Sequence, residues 1–177
     1  MTDWSKIVEH HGPIVWRIVR RLLNHDADAA DCFQRVFVAA VELERRDAIR
    51  DWPAILRRLA TARALEYLRG RYRLANRVTV MADELLADSK GREPIMIAQD
   101  GELAAQLRDA LADIDARQAQ VFCLACLDDA SYLEIAEQLD ITVNHVGVLL
   151  SRARAALRDR LGHHAPASLA NEREVKS

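Results

Sequence analysis

Apolar residues recur at helical spacing from the start of the chain. Ile7, Val8, Ile14, Val15, Ile18, Val19, Leu22 and Leu23 fall three, four or seven apart and predict a helix over 4–24. Gly12-Pro13 marks an expected break or bend within it. The stretch "NHDADAADCFQRVFVAAVEL" predicts a second helix, whose Asp-rich opening suits the positive end of a helix dipole. Its apolar stripe is Cys32, Phe33, Val36, Phe37, Ala40 and Val41. "ERRDAIRDW" reads as a charged loop. Pro53 fits a first helical turn, and a third helix over 53–73 carries Ile55, Leu56, Leu59, Leu65 and Leu68.

From about residue 75 to 100 the periodicity weakens. "MADELLADSKGREPIMIAQDG" is acidic, holds Gly91 and Pro94, and predicts a linker or short helices. A second helical run opens near Glu102 with the amphipathic "ELAAQLRDALADI". Asp115 with Gln118, and Ser131 with Glu134, have the spacing of capping boxes for "ARQAQVFCLACL" and "YLEIAEQL". Thr142 is an N-cap candidate for "VNHVGVLLSRARAALRDRL". The expected fold is all-α, with two small helical domains joined by a linker. Its divisions are 1–76, an acidic linker 77–101, 102–162, and a polar tail 163–177 expected to fray.

Composition agrees with helices: Ala, Leu, Arg, Glu and Asp dominate, and the chain holds six Gly and four Pro in 177 residues. The charge distribution adds more than the net −2. Residues 1–77 carry fifteen Lys/Arg against ten Asp/Glu, residues 78–115 three against nine, and residues 116–177 seven against eight. A basic, then acidic, then mixed chain points to separate tasks for the segments. The N-terminus lacks a signal-peptide pattern and no apolar run reaches membrane-spanning length, so a cytoplasmic protein without membrane association is expected. Three cysteines make no disulfide framework. Cys123 and Cys126 form a lone C-x-x-C on an apolar helix, without the further ligands zinc requires, and read as core. No nucleophile triad, Gly-rich phosphate loop or carboxylate metal cluster stands out, so neither an enzyme nor a cofactor is expected, and His10-His11 and His163-His164 read as surface pairs.

"SYLEIAEQLDITVNHVGVLLSRA" holds two helices joined by about four residues, with small Ala136 toward the turn and Val146 and Leu150 placed to pack on Ile135 and Leu139. This is a helix-turn-helix pattern, within a tetrahelical unit of homeodomain-like or winged-helix-like kind. An ordinary helical hairpin has the same spacing. At this point the chain resembles a small sigma factor of bacterial RNA polymerase, of the extracytoplasmic-function (ECF) group in the sigma-70 family. The resemblance covers roughly residues 5–162. "LRDALADIDARQAQVFCLACLDDASYLEIAEQLDITVNHVGVLLSRARAALRDRL" follows the family's region 4. "DAADCFQRVF" resembles its polymerase-binding helix, and "ILRRLATARALEYLRGRYR" its helix against the melted promoter.

The resemblance implies core RNA polymerase and promoter DNA as partners, with an inhibitory anti-sigma factor as a further partner type. It carries polymerase binding onto Asp28, Asp31, Gln34 and Phe37, of which Asp28 and Asp31 share a helix face. An acidic first turn that merely steadies the helix is the simpler reading of the two aspartates. Seven arginines lie within 57–77 against the single Glu66, a composition suited to phosphates. Arg63, Arg69, Arg71 and Arg73 are minus-ten candidates, and Tyr72 could stack on an exposed base. "ELERRDAIRD" sits where family members capture a flipped base, which makes Arg45, Arg46, Asp47 and Arg50 candidates for that pocket or its rim. Trp52 reads as core.

The second helix of the helix-turn-helix raises its own question. Its middle is Gly147, Val148, Leu149 and Leu150, where DNA-reading helices usually carry polar residues. At about 100° per residue, Val146, Leu150, Ala153 and Leu157 form the packing face, with Leu149 at its edge. Family members commonly carry Lys, Ser and Arg at 147–149, so two charged contacts are missing here. The remaining minus-thirty-five candidates are Asn144, His145, Val148, Ser151, Arg152 and Arg154. Asn can pair with adenine and Val148 can touch a thymine methyl, so weak or unusual reading of that element is expected. Two other readings stay open: a free-standing helix-turn-helix regulator, and a helical interaction protein with reduced DNA reading. Tight duplex binding without polymerase would mark the first, and polymerase binding without a promoter-dependent transcript the second.

Overall fold

The computed structural model describes residues 2–85 and 99–162. Seven helices run through them: α1 (Trp4–Leu23), α2 (Asp26–Glu44), α3 (Trp52–Leu85), α4 (Gln99–Asp113), α5 (Ala116–Cys126), α6 (Tyr132–Leu139) and α7 (Val143–Leu161). Among the described residues there is no strand, so nothing there forms a wing. No helix among them is long and apolar enough to cross a membrane. His163-His164, the tail and the middle of the acidic linker lie outside the described residues.

Local chemistry accounts for most helix ends. The Asp3 carboxylate accepts from the Lys6 backbone N–H at 3.3 Å and starts α1. Asn24 ends it in the left-handed conformation at φ 51°, which a short polar side chain tolerates. The expected break at Gly12-Pro13 is absent. α1 passes through Pro13 on its exposed side, while Gly12 is buried where an added Cβ would lie 3.5 Å from the Phe33 ring. α3 also runs past its expected end at 73 to Leu85. Residues 74–85 contain no Gly or Pro to stop it, and weak apolar periodicity does not by itself end a helix.

In the C-terminal half, Asp115 accepts from the Arg117 and Gln118 backbone N–H groups at 3.0 Å. Ser131 and Glu134 complete a reciprocal capping box at the start of α6, and Thr142 accepts from His145 N–H at 3.2 Å to start α7.

The N-terminal helices α1, α2 and α3 pack on one another around Val15, Val19, Val36, Leu56 and Leu65. In the C-terminal half, α7 lays Val146, Leu150, Ala153 and Leu157 against α4, α5 and α6. The expected picture of two units joined only by a linker needs one addition. The long α3 also packs against α4, α5 and α6, so the apolar cluster is continuous across both halves. Cys32 and Cys123 are buried members of that cluster; loss of solvation pushes their thiols up to about 11 and about 12 and keeps them protonated at neutral pH.

Candidate nucleic-acid interface

The helix-turn-helix is built from α6, a turn at Asp140–Thr142, and α7. Asp140 closes α6 in the left-handed region at φ 52°. Ile135 and Ala136 on α6 are buried against α7, whose opposite side leaves Asn144, His145, Val148, Ser151 and Arg152 exposed on one face. Arg154 is half-buried beside that face. The apolar middle of α7 now divides. Leu149 is 6% exposed and belongs to the core, so its lack of charge is a packing requirement and not a lost DNA contact. Val148, 39% exposed, is the one apolar side chain of that run presented to solvent. Gly147 faces Tyr132 at the start of α6, and an added Cβ would meet that ring at an ordinary 3.8 Å. Nothing among the described residues requires glycine there.

The arginines of α3 have separate environments. Arg63 pairs with Glu66 at 2.7 Å along the helix, and Arg71 reaches the Asp28 carboxylate at 2.8 Å. Arg69 donates to the Ile114 carbonyl at 3.5 Å, and Arg58 to the Gln138 carbonyl at 3.2 Å, both in the C-terminal half. Arg57 approaches Asp128 at 3.5 Å. Arg73 is exposed with no ion pair among the described residues, and the half-buried Tyr72 sits next to it. In the loop before α3, Arg45, Arg46, Asp47 and Arg50 are exposed, while Asp51 accepts from Ala54 N–H at 2.9 Å and holds the start of the helix. The loop borders a groove of about 710 Å³ whose far wall is α6, with Glu134, Glu137 and Asp140 facing Arg50 and Arg58. Trp52 is half-buried and meets Trp4 edge-on at 5.2 Å between ring centres, as the core reading expects.

The polymerase-facing candidates separate as well. Asp31 and Gln34 are exposed on α2, with Asp31 bound to Arg35 at 3.2 Å. Asp28 is half-buried and accepts from the Tyr67 hydroxyl at 2.6 Å as well as from Arg71. That hydrogen bond to the carboxylate is the main reason the Tyr67 phenol is held above its ordinary pKa. Phe37 turns inward, 9% exposed, with its ring 5.0 Å from that of Phe33. It cannot lie on the same outer surface as Asp31 and Gln34. The residue that does is Val38, 58% exposed, four positions after Gln34. The sequence carried a signal for it: Val38 is an apolar side chain outside the stripe formed by its neighbours. Val38 and Leu74 rim a groove of about 550 Å³ between α2 and α3 that also includes Arg35, Arg63 and Arg71.

Comparison with known proteins places this geometry. The family model "Sigma-70 region 2" matches residues 7–74, and "Sigma-70, region 4" matches residues 104–157. The chain is 26% identical over 167 residues to the "ECF RNA polymerase sigma factor SigW" of Bacillus subtilis (strain 168), covering 89% of this chain and 88% of that protein. It shares its fold with the sigma factor RpoE solved in complex with the anti-sigma factor NepR from Bartonella quintana. The TM-score is 0.51 at 17% identity, over 93% of this chain and all of the other. Regions 2 and 4, in that order and together spanning well over half of the residues, establish that this chain belongs to the sigma-70 family of RNA polymerase sigma factors, in its extracytoplasmic-function group.

Proposed function

We propose that this sigma factor binds core RNA polymerase through the outer face of α2, centred on Asp31, Gln34 and Val38. In this reading residues 1–76 act as the polymerase and minus-ten module, residues 102–162 as the minus-thirty-five module, and residues 77–101 as an acidic connection. Phosphate contacts come from Arg45, Arg46, Arg50 and Arg73, which are exposed cations of the N-terminal half without an ion pair among the described residues. Tyr72 lies beside Arg73, positioned for an unstacked base. The α7 face of Asn144, His145, Val148, Ser151 and Arg152 meets the upstream duplex, with one arginine among five exposed positions. That makes upstream reading weaker than the grip on the opened strands.

The observation that carries this reading is the spatial separation of the two polar surfaces onto the two matched regions. Bond-making stays with the polymerase, which places the protein in the cytoplasm with the chromosome. The partners are core polymerase, promoter DNA and an inhibitory anti-sigma protein. Run-off transcription with core polymerase and a genomic fragment library tests it. Transcripts that depend on this chain, and that are lost with Arg73→Ala or Val38→Asp while the fold survives, support the reading. No transcript from any template overturns it. A gel shift with the chain alone separates it from a free-standing regulator, which would hold duplex DNA tightly without polymerase.

A further inference from the structure

The start of α1, the end of α2 and the start of α3 converge at one end of the N-terminal bundle. Three consecutive residues tie them together there. The Thr2 hydroxyl donates to the carboxylate of Glu44, the last residue of α2. Asp3 caps α1, accepting from the Lys6 N–H on its side chain and from the Ile7 N–H on its carbonyl, at 3.3 and 3.1 Å. Trp4 meets Trp52, the first residue of α3, edge-on at 5.2 Å between ring centres and 83° between planes. Glu44 and Trp52 are the residues on either side of the loop 45–51.

We propose that Thr2 and Trp4 are positioning residues: by pinning both ends of the loop 45–51, they hold it preset to receive the opened minus-ten strand. The proposal rests on the reading of this loop as part of the minus-ten surface. The pin itself is a statement about the chain alone.

Three observations carry it. First, the loop's functional side chains all point outward: Arg45, Arg46, Asp47 and Arg50 are exposed, so none of them anchors the loop in the core. Second, what order the loop has is concentrated at its ends. The Arg45 N–H donates to the Val41 carbonyl at 3.2 Å, and the Arg46 and Asp47 N–H groups to the Leu43 carbonyl at 3.0 Å. At the other end Asp51 accepts from the Ala54 N–H at 2.9 Å and from the Ile55 N–H at 3.1 Å. Thr2 and Trp4 add a tertiary contact to each end, and the Asp3 cap makes the two contacts one rigid unit. Third, Thr2, Glu44, Trp4 and Trp52 are all half-buried, which places these contacts at the rim of the bundle and not at its centre. A base drawn out of the stack must recover its lost stacking from the protein, and a loop already ordered loses less freedom on capture.

The test uses the full-length chain and three variants outside the proposed DNA and polymerase surfaces. Trp4→Ala removes the ring that meets Trp52. Asp3→Ala frays the turn that carries Thr2 and Trp4, and Trp4→Phe keeps an aromatic edge. Hydrogen exchange read by mass spectrometry follows the bonded amides of 45–47 and 54–55. Trp4→Ala and Asp3→Ala should speed their exchange by about two- to tenfold, the range of one aromatic pair or one cap. Trp4→Phe should restore it, and the amides of α5–α7 should keep wild-type rates. If Trp4→Ala loses helix throughout, Asp3→Ala decides. With core polymerase, run-off from the strongest chain-dependent template should fall by a similar factor in the two Ala variants, with capture of polymerase unchanged. The deficit should close on the same template pre-melted by mismatches, where little stacking is left to lose. Wild-type exchange in both Ala variants, faster exchange with undiminished transcription, or a deficit equally large on the pre-melted template overturns the proposal. If the wild type yields no transcript at all while the exchange pattern holds, the pin stands and the sigma-factor reading is removed instead.

Discussion

Gly147→Ala is the sharpest test of how the upstream-reading helix is built. Glycine in a helix interior is ~0.8–1 kcal/mol less favourable than alanine because more backbone freedom is lost on folding. That penalty persists where a Cβ would collide. Here the added Cβ would lie 3.8 Å from the Tyr132 ring, an ordinary van der Waals separation, and no other atom outside the local helix lies within 4 Å. The whole propensity gain should therefore be realised, with a small further contribution from contact between the new methyl and the ring. For a chain of this size about 1 kcal/mol corresponds to a rise in melting temperature of roughly 2–4 °C. Thermal denaturation followed by circular dichroism measures it, with Gly70→Ala on exposed α3 as a matched control, since a Cβ there meets nothing within 4 Å. Gly147 also faces α6 rather than the centre of the exposed α7 surface, so promoter-dependent transcription should be unchanged. A lowered melting temperature would refute the steric argument. A raised melting temperature with transcription lost would refute the orientation argument, and would mean that DNA approaches the backbone at 147.

Further outcomes follow from the same contacts. Val148→Lys places a cation on the exposed α7 face; upstream-duplex affinity of the holoenzyme should rise, and the slope of log K against log salt should steepen by about 0.9. Phe37→Ala should destabilise by ~3–5 kcal/mol in denaturant unfolding, as expected for a buried ring, whereas Val38→Asp should leave stability nearly unchanged and abolish capture by core polymerase. Thr142→Ala removes the cap on the first turn of α7 and should cost about 1 kcal/mol, read as a shift of the denaturation midpoint. Glu134 is held below its ordinary pKa first by the Ser131 backbone N–H and then by the Ser131 hydroxyl. A depressed carboxylate stabilises the folded state above its unfolded pKa and loses that contribution as pH falls through the folded value. Melting curves of Glu134→Gln should therefore show a smaller loss of stability on acidification than the wild type; equal losses would remove the capping box as their source.

Much of the fold was legible because its signals are local. The capping spacings at Asp115, Ser131 and Thr142 each predicted a helix start, and the structure places a helix after each of them. The packing face of α7 followed from the helical period, since Val146, Leu150, Ala153 and Leu157 are all buried. The failures were of two kinds. Gly12-Pro13 was read as a break or a bend, and α1 continues through Pro13 without a break, its following turns anchored by the buried Ile18 and Val19. The end of α3 was read from fading periodicity, but periodicity reports which face is buried and not where the helix stops, and residues 74–77, where α3 passes its expected end, are all exposed.

The binding surfaces were less legible, for a reason that concerns charge more than shape. A run of seven arginines on one helix has the same composition whether the side chains point at phosphates, at carboxylates or at backbone carbonyls. In this chain α3 divides them: Arg73 is exposed, Arg71 and Arg63 meet acids, and Arg58 and Arg69 reach carbonyls of the C-terminal half. Sequence spacing could place Asp28 and Asp31 on one face of α2, but could not show that Tyr67 and Arg71, about forty residues later, already engage Asp28 while leaving Asp31 on the surface. Burial separates such residues where composition cannot. It turns Phe37 and Leu149 into core, brings Val38 and Val148 forward as exposed apolar side chains, and shows Asp128, an unremarked turn residue in the sequence, to be a buried carboxylate between Arg17 and Arg57.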